Sequence, residues 1–499
     1  MDTLTSDNIT VMFLSLGILL CVARLLGEIA QWLKQPAVLG ELLAGVLLGP
    51  TILGSLAPEL SGILFPLRGV NAIALDAIAT LAIVLFLLVA GMEVDLSTVW
   101  KQGKIGCKVG ITSIAIPFSI AFFAALAIPE SLGRNVNVDP LIFALFFAIA
   151  ISISALPIIA KTLMDMGLYR SDLGMVVISA AVFNDLVGWI VFAVILGLIG
   201  DQSGNGNAIM MTVALTLAFV GTTLTVGRWL IHKVLPLVKA YTRWPAGELS
   251  FALILGLLGA AFTQWIGIHA IFGAFIVGVA IGDSSHLRER SRVIIDKFIS
   301  FIFAPVFFAS IGLKVNFLTQ FDFPLVLTVL LIACVCKLIG GAMGARWGGM
   351  APREAWAVGF GMVSVGAMGI IVGMIALNAG IIHERLFVAL IIMAMITSMM
   401  SGPFMQMILH TGKERRLRNI LSPILRATSR SKIMQQGKPQ AVETESSNSQ
   451  RVRRKRLIAS QRKAWRRSGS PTRRYRWAAA IRAGARYSRA RAGFRRSRL

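Results

Sequence analysis

The sequence predicts an all-α membrane protein of about thirteen transmembrane helices, two of them broken near their middle. Three observations carry this. Of 499 residues 56% are hydrophobic and only 15% charged, and the mean hydropathy is +0.75, well outside the composition of a water-soluble domain. Apolar stretches of about 20 residues, the length that crosses a bilayer, recur from residue 9 to about 411. In two of these stretches proline or clustered glycine interrupts the helical pattern.

The spans run approximately over 9–31, 37–54, 72–92, 105–128, 140–163, 172–199, 208–235, 248–266, 268–282, 297–313, 324–348, 355–379 and 384–410. The second and ninth are short, and the count is good to one span. Asp2 and Asp7 stand where a signal peptide would carry a basic region, and no small-residue cleavage site follows, so the first span is expected to stay as a membrane helix. With the N-terminus outside, inner loops up to residue 353 carry sixteen Lys and Arg. The outer loops carry only Arg68, Arg134, Lys314 and Arg385. This positive-inside asymmetry places the C-terminus in the cytoplasm, as an odd helix count requires. Residues 1–411 are read as the transmembrane domain and 412–499 as a cytoplasmic basic tail. Cys21, Cys107, Cys334 and Cys336 lie in or beside apolar segments without metal or redox spacing and are read as core filler.

Both broken spans have a specific chemistry. In AIAISISALPIIAKTL the fifth span places Ser152, Ser154 and Pro157 at mid-membrane, and the proline removes a backbone hydrogen bond. In GFGMVSVGAMGIIVG the twelfth packs Gly359, Gly361, Gly366, Gly369 and Gly373 around a single serine. Close helix packing by small residues is the alternative reading of any one glycine. Breaks at corresponding places in two halves point to a transporter binding site. Their separation by seven spans, an odd offset, inverts one half relative to the other. That is the logic of an alternating-access carrier; a gated channel would favour a continuous polar pore lining instead. A membrane enzyme would need a nucleophile or metal cluster, and none is apparent.

Charged residues inside the spans identify the candidate site. Asp185, with Asn184, lies in AAVFNDLVGWIVFAVIL, where a carboxylate costs about 2.5–3.5 kcal/mol on insertion scales. Such a group faces a protein interior or a water-filled cavity and can exchange a proton or a cation; a structural, hydrogen-bonded aspartate is the alternative. Lys337 is too deep in the eleventh span to snorkel to either interface. It is read as a structural counter-charge or a proton carrier, with the neutral Asn184 its most obvious partner on the sixth span. Glu41 lies inside GELLAGVLLG and is either a buried hydrogen-bonding group or a funnel residue. Glu93 and Asp95 are read as solvated charges at an inner helix end, and Asp165 and Asp172 as surface partners of Lys161 and Arg170. His269 is a core histidine or a pH sensor.

In order along the chain, KQPAVLGELLAGVLLGPTILG, FLLVAGMEVDL, the SxSALPIIAKTL stretch, GIHAIFGAFIVGVAIGD and PVFFASIGLKVNF resemble the blocks of the second family of monovalent cation:proton antiporters, which includes Kef-type potassium/proton and bacterial sodium/proton exchangers. The resemblance covers residues from about 10 to 410. It implies an inverted-repeat sodium/proton antiporter-like fold and exchange of Na⁺ or K⁺ for H⁺. Asp185 would be the cation- and proton-binding carboxylate with Asn184 beside it, and Lys337 the lysine facing the site. Ser152, Ser154 and Glu41 would support them. Where relatives often show an Asn and an Arg, this chain reads Met362 to Gly369 without a charge, so roles from those positions do not transfer. A bacterial inner membrane, membrane lipids and a homodimeric partner are expected; no cofactor, metal or nucleic-acid partner is.

The tail has a composition of its own. Arg451–Leu499 contains 17 Arg, 2 Lys and no acidic residue, which is 19 of the net charge of +25. It reads as a polybasic arm for an anionic inner leaflet or as out-of-frame translation of GC-rich DNA; a nucleic-acid tail is the weaker candidate. No GxGxxG follows residue 411, so the nucleotide-binding domain that Kef-type relatives append is not expected.

Overall fold

The computed structural model describes residues 5–33, 35–66, 68–94, 103–169, 171–200, 206–284 and 287–435. Lys34, Asp95, Lys101, Arg170 and the basic tail 451–499 lie outside the described residues, as does the side chain of Asp165. Residues Met1–Arg415 form one compact unit and Arg416–Leu499 a second.

The described chain is helical almost throughout. In order come α1 (Ser6–Trp32), α2 (Ala37–Leu48), α3 (Leu53–Leu56), α4 (Pro58–Leu64), α5 (Val70–Glu93), α6 (Gly103–Ala127), α7 (Pro140–Ser152), α8 (Leu156–Asp165) and α9 (Asp172–Gly200). After α10 (Gly206–Thr222) and a π-helical turn at Thr223–Gly227 come α11 (Arg228–Tyr241), α12 (Ala246–Trp265), α13 (Ala270–Gly282), α14 (Glu289–Lys314), α15 (Phe323–Trp347), α16 (Pro352–Met362), α17 (Gly366–Asn378) and α18 (Glu384–Gln435). Helix starts follow local chemistry. Asp139 accepts the N–H of Leu141 at 2.7 Å before Pro140 opens α7, and Asp322 caps α15 through the N–H of Leu325.

Among the described residues eleven helical segments are long and apolar enough to cross a membrane, and a twelfth crossing is the bent pair α16–α17. The ninth sequence-predicted span is shorter than a crossing. α13 has 13 residues, about 20 Å at 1.5 Å per residue against a hydrocarbon core of about 30 Å. Gly267, between the eighth and ninth spans, turns the chain there with φ +85°.

The glycines reveal an internal repeat that hydropathy does not. Aligned at a constant offset of 233, residues 31–49 and 264–282 share Gln, Trp, Ala and the run GxxxxGVxxG: Gly40, Gly45, Val46 and Gly49 match Gly273, Gly278, Val279 and Gly282. The equivalent positions make equivalent contacts. A Cβ on Gly40 would collide with the Leu26 carbonyl of α1, and one on Gly273 with the Gly259 carbonyl of α12. Gly45 packs on Ala309 and Gly312 of α14; Gly278 packs on Leu88 and Gly91 of α5. Helix packing repeats as well: α1 on α2 answers α12 on α13, α5 on α13 answers α2 on α14, and α6 on α7 answers α15 on α16. The seven-span offset of the breaks is thus the offset of the whole fold.

Packing divides the helices into two groups. One holds α1, α2, α5, α12, α13 and α14; the other holds α6, α7–α8, α9, α15 and α16–α17, joined by α18 through Ser401, whose hydroxyl donates to the Phe360 carbonyl. Among the described residues, and leaving α18 aside, each extensive helix pairing lies inside a group or involves the α10–α11 span. The first group is held by glycine-on-carbonyl crossings with no room for a side chain. Gly45→Val is therefore expected to cost more than the about 1–3 kcal/mol of ordinary overpacking, lowering the melting temperature of detergent-purified protein or abolishing its monodisperse peak. Gly17→Val, where nothing lies within 4 Å of the new Cβ, is the control expected to match the unchanged protein.

Candidate functional site

Both predicted breaks are present, and they cross each other. The fifth span leaves helical geometry between Ser152 and Leu156, and the twelfth bends by 43° between Met362 and Gly366. A helix end leaves up to four backbone donors or acceptors unpaired, and each such group costs several kcal/mol in hydrocarbon. The two breaks satisfy each other. The N–H of Ala155 donates to the Ser364 carbonyl at 3.0 Å, and the Ser154 hydroxyl donates to the Met362 carbonyl at 3.0 Å. α18 covers what remains on the twelfth span: the Ser401 hydroxyl donates to the Phe360 carbonyl at 2.9 Å, and Thr397 Oγ1 accepts the N–H of Val365 at 3.4 Å.

The sequence-predicted polar residues converge on the fifth-span break. Asn184, fully buried, accepts the N–H of Ser154 on Oδ1 at 3.0 Å, and its Nδ2 donates to the Ser152 carbonyl and Ser113 Oγ, both at 3.4 Å. Lys337, also fully buried, donates to the carbonyls of Ile153 at 2.5 Å and Ser152 at 3.4 Å. Its partner is therefore the carbonyl end of α7 rather than the Asn184 side chain. A cation at a helix C-terminus is stabilised by the macrodipole, so Lys337 acts here as a counter-charge to α7. Asp185 takes the opposite end: it is 2% exposed and is reached by the backbone N–H of Leu156, at the start of α8. Lysine on the negative end of one half-helix and carboxylate on the positive end of the next is the electrostatically matched arrangement.

Asp185 differs from its neighbours in one respect. Asn184, Ser152, Ser154 and Lys337 have hydrogen-bond partners, whereas Asp185 Oδ1 is buried without one. The Ser152 hydroxyl is itself spent on the Ala148 carbonyl at 2.6 Å. A buried carboxylate with a free oxygen at a helix break can take up a proton or a monovalent cation.

Among the described residues two cavities approach the breaks from one side. A cavity of about 670 Å³ lies where α5 and α8 end and α14 begins, and its lining includes Leu156, Ile178 and Val182, the last of these one turn before Asp185. A second cavity of about 200 Å³ joins Glu41, Glu93 and Asp296 to Ala155, Pro157, Ala367 and Met368 at both breaks. Both cavities lie between the two helix groups. At the opposite end a pocket of about 540 Å³ is walled by Glu130, Asp322, His383 and their neighbours, and its lining includes no residue of either break.

Several readings change in this light. Glu93 lines both cavities instead of a solvated loop. Glu41 is 3% exposed and lines the smaller cavity beside Arg24. His269 caps α13, its Nδ1 accepting the N–H of Ile271 at 3.4 Å, which gives it a structural task. Sequence reasoning missed Asp296, bonded by the Ser300 hydroxyl at 2.9 Å, and Arg24, which pairs with Glu28 at 2.5 Å and stands over the Phe301 ring. Both lie near span ends where charge is ordinary; the GMEVDL/GLKVNF likeness of α5 to α14 was the available signal that these helices are partners.

Comparison with known proteins places this architecture. The profile described as sodium/hydrogen exchanger, transmembrane, matches residues 17–411. The chain belongs to the sodium/hydrogen exchanger family. It is 29% identical over 415 residues to K(+)/H(+) antiporter 1 of Saccharomyces cerevisiae, covering 81% of this chain and 47% of the yeast protein. It is 27% identical over 407 residues to Na(+)/H(+) antiporter NhaS4 of Synechocystis, covering 81% and 97%. The chain thus spans about half the length of the yeast protein and of its plant relatives. Its fold matches the sodium proton antiporter MjNhaP1 of Methanocaldococcus jannaschii with a TM-score of 0.58 at 17% identity, covering 80% of this chain and 98% of that one. As a member of this family the chain is a multi-pass integral membrane protein with an antiporter fold.

Within that fold Lys337 is the prop of the break. Lys337→Met leaves the buried Ile153 carbonyl without its donor and the Ser152 carbonyl with Asn184 alone, and is expected to destabilise purified protein by about 1.5–3 kcal/mol, read as a lowered melting temperature. Lys337→Arg, which keeps charge and donors, should recover part of the loss.

Proposed function

We infer that the protein is a secondary active antiporter that exchanges Na⁺ or K⁺ for protons. The observation that carries this is Asp185: a buried carboxylate with one free oxygen, at the crossing of two broken helices and one turn from the lining of a cavity. A cation and a proton compete for it. When Asp185 is protonated it offers a poor cation site, and when a cation occupies it no proton binds, so one group couples the two fluxes. Asn184 contributes by holding Ser154 in place, which orients the break that Asp185 faces. The dipole of α8 and the carbonyls around the break supply the rest of the field.

The division of the helices supports alternating access. The cavities follow the boundary between two groups that pack extensively only within themselves. Movement of the group carrying Asp185 against the other would close the present funnel and open the opposite side. A channel would need one path open from end to end, whereas the funnel here stops at Val182 and Leu156.

The positive-inside distribution supports a cytoplasmic funnel, with the N-terminus outside and the C-terminus inside, and a bacterial inner membrane is the expected location. Residues 1–411 are the exchanger domain and 412–499 a cytoplasmic tail. α1 and the α10–α11 span bury little of their apolar surface, which suits contact with lipid, and a homodimer is the expected assembly. Oxygen ligands serve both Na⁺ and K⁺, and relatives bear both names, so transport with each cation in turn decides the substrate.

Asp185→Asn is expected to insert and fold but to abolish cation-driven proton movement in proteoliposomes containing a pH-sensitive dye; full exchange by that variant would refute the mechanism. Exchange is also expected to be electroneutral. Asn184 cannot release a proton and Lys337 is committed to the carbonyls of α7, which leaves one proton against one cation. Clamping the membrane at zero and then at a large negative potential tests this, since each net charge would feel about 2.3 kcal/mol per 100 mV. A voltage-dependent rate or end-point would mean that a second group titrates, and Lys337→Arg would be the variant to compare.

A further inference from the structure

Two polar atoms near the site are buried and without partners: Asp185 Oδ1 and the indole Nε1 of Trp189. They belong to residues four apart on α9, hence on one face of the helix, one turn from each other. Long side chains in a helix lean back over the preceding turn, and for Trp189 that is the turn that carries Asp185. The ring itself is fully buried. It packs edge-on to Phe192 of its own helix and against Phe275 of α13, both with centroids 5.5 Å away. Phe275 belongs to the other helix group, so Trp189 spans the boundary between the groups, one turn beyond Asp185 from the funnel. A phenyl ring would fill such an apolar seat without leaving a buried donor unpaired, which costs about 1–3 kcal/mol.

We propose that Trp189 is a positioning residue for ion exchange, its indole N–H donating to the free oxygen of Asp185 when that carboxylate is ionised and holds no cation. The inference rests on the reading of Asp185 given above. The hydrogen bond stabilises the ionised carboxylate after its proton leaves, and an arriving cation displaces it. Trp189 would then set the pH at which the exchanger turns over and help fix its apparent cation affinity. The charges that act on Asp185 are Lys337 of α15 and Glu93 of α5. The other charged residues on the elements packed against α9 are Lys104 and Lys108 of α6, Lys161 and Asp165 of α8, and Arg353 and Glu354 of α16; α7 and α10, and α13 behind the ring, carry none.

Trp189→Phe keeps one aromatic ring against Phe275 and removes the donor together with the second ring. Without it Asp185 keeps its proton to higher pH, so the midpoint of exchange rate against pH in proteoliposomes should rise by about one unit, the size of a charge-assisted hydrogen bond. Replacement of the same residue by benzothienylalanine, which has the indole shape without the N–H, should give the same rise. An unmoved midpoint in either folded variant overturns the proposal. A second measurement needs no change at Trp189. Among the indole ¹⁵N–H resonances of the ten tryptophans, one should shift as pH crosses that midpoint and again on addition of Na⁺ or K⁺, and should stay fixed in Asp185→Asn protein. A spectrum in which no indole responds to the charge on Asp185 overturns it as well. Full exchange by Asp185→Asn would remove the functional reading itself. An essential Asp185 together with an indifferent Trp189 removes only this inference.

Discussion

Backbone hydrogen bonding between the two interrupted helices is the constraint on which the site depends. Hydrocarbon offers no water to an exposed N–H or carbonyl, so a helix broken at mid-membrane is tolerated only where protein supplies the missing partners. Here the fifth span lends Ala155 N–H and the Ser154 hydroxyl to the twelfth, and receives the Ser364 and Met362 carbonyls in return. Lys337 and Asn184 take up the remaining ends of the fifth span; Thr397 and Ser401 take up those of the twelfth. Removing either break would strand the polar groups of the other.

The electrostatics follow from that crossing. Breaking one helix into α7 and α8 turns a single macrodipole into two, and the gap presents a negative end and a positive end a few residues apart. Lys337 answers the first and Asp185 the second. The difference between them is chemical: the ammonium is committed to two carbonyls, while the carboxylate keeps one oxygen free. In the function proposed above, structural support and ion exchange are divided between two buried charges of one site.

Around this site the fold is a repeated unit held by backbone contact. Gly45 against Ala309 and Gly312, and Gly278 against Leu88 and Gly91, are one contact made twice. They bring helix axes closer than side chains would allow and make one helix group stiff. The cavities follow its boundary with the group that carries Asp185. A rigid frame with a separately packed partner is the physical requirement for opening a site to one side at a time.

Much of this was legible in the chain. Apolar length gave the membrane spans, because a bilayer accepts little else. Pro157 and the Gly366 cluster gave both breaks, because each removes a local hydrogen bond or a helix-favouring side chain. Asp185, Asn184 and Lys337 stood out because a charge or amide in hydrocarbon is costly. The GxxxxGVxxG run at residues 40–49 and 273–282 also lay in plain view and specified the repeat. Tertiary structure alone decided the rest. The length of α13 depended on where Gly267 turns the chain. The partner of Lys337 was a pair of main-chain carbonyls, which no side-chain pattern announces. Glu93, Asp296 and Arg24 sat at ordinary span ends until the packing of α5, α14 and α1 turned them into one cavity. Sequence fixes which groups are too costly to leave unpaired in a membrane; only the folded chain decides which partner each one finds, because those partners are mostly backbone atoms brought together from far along the chain.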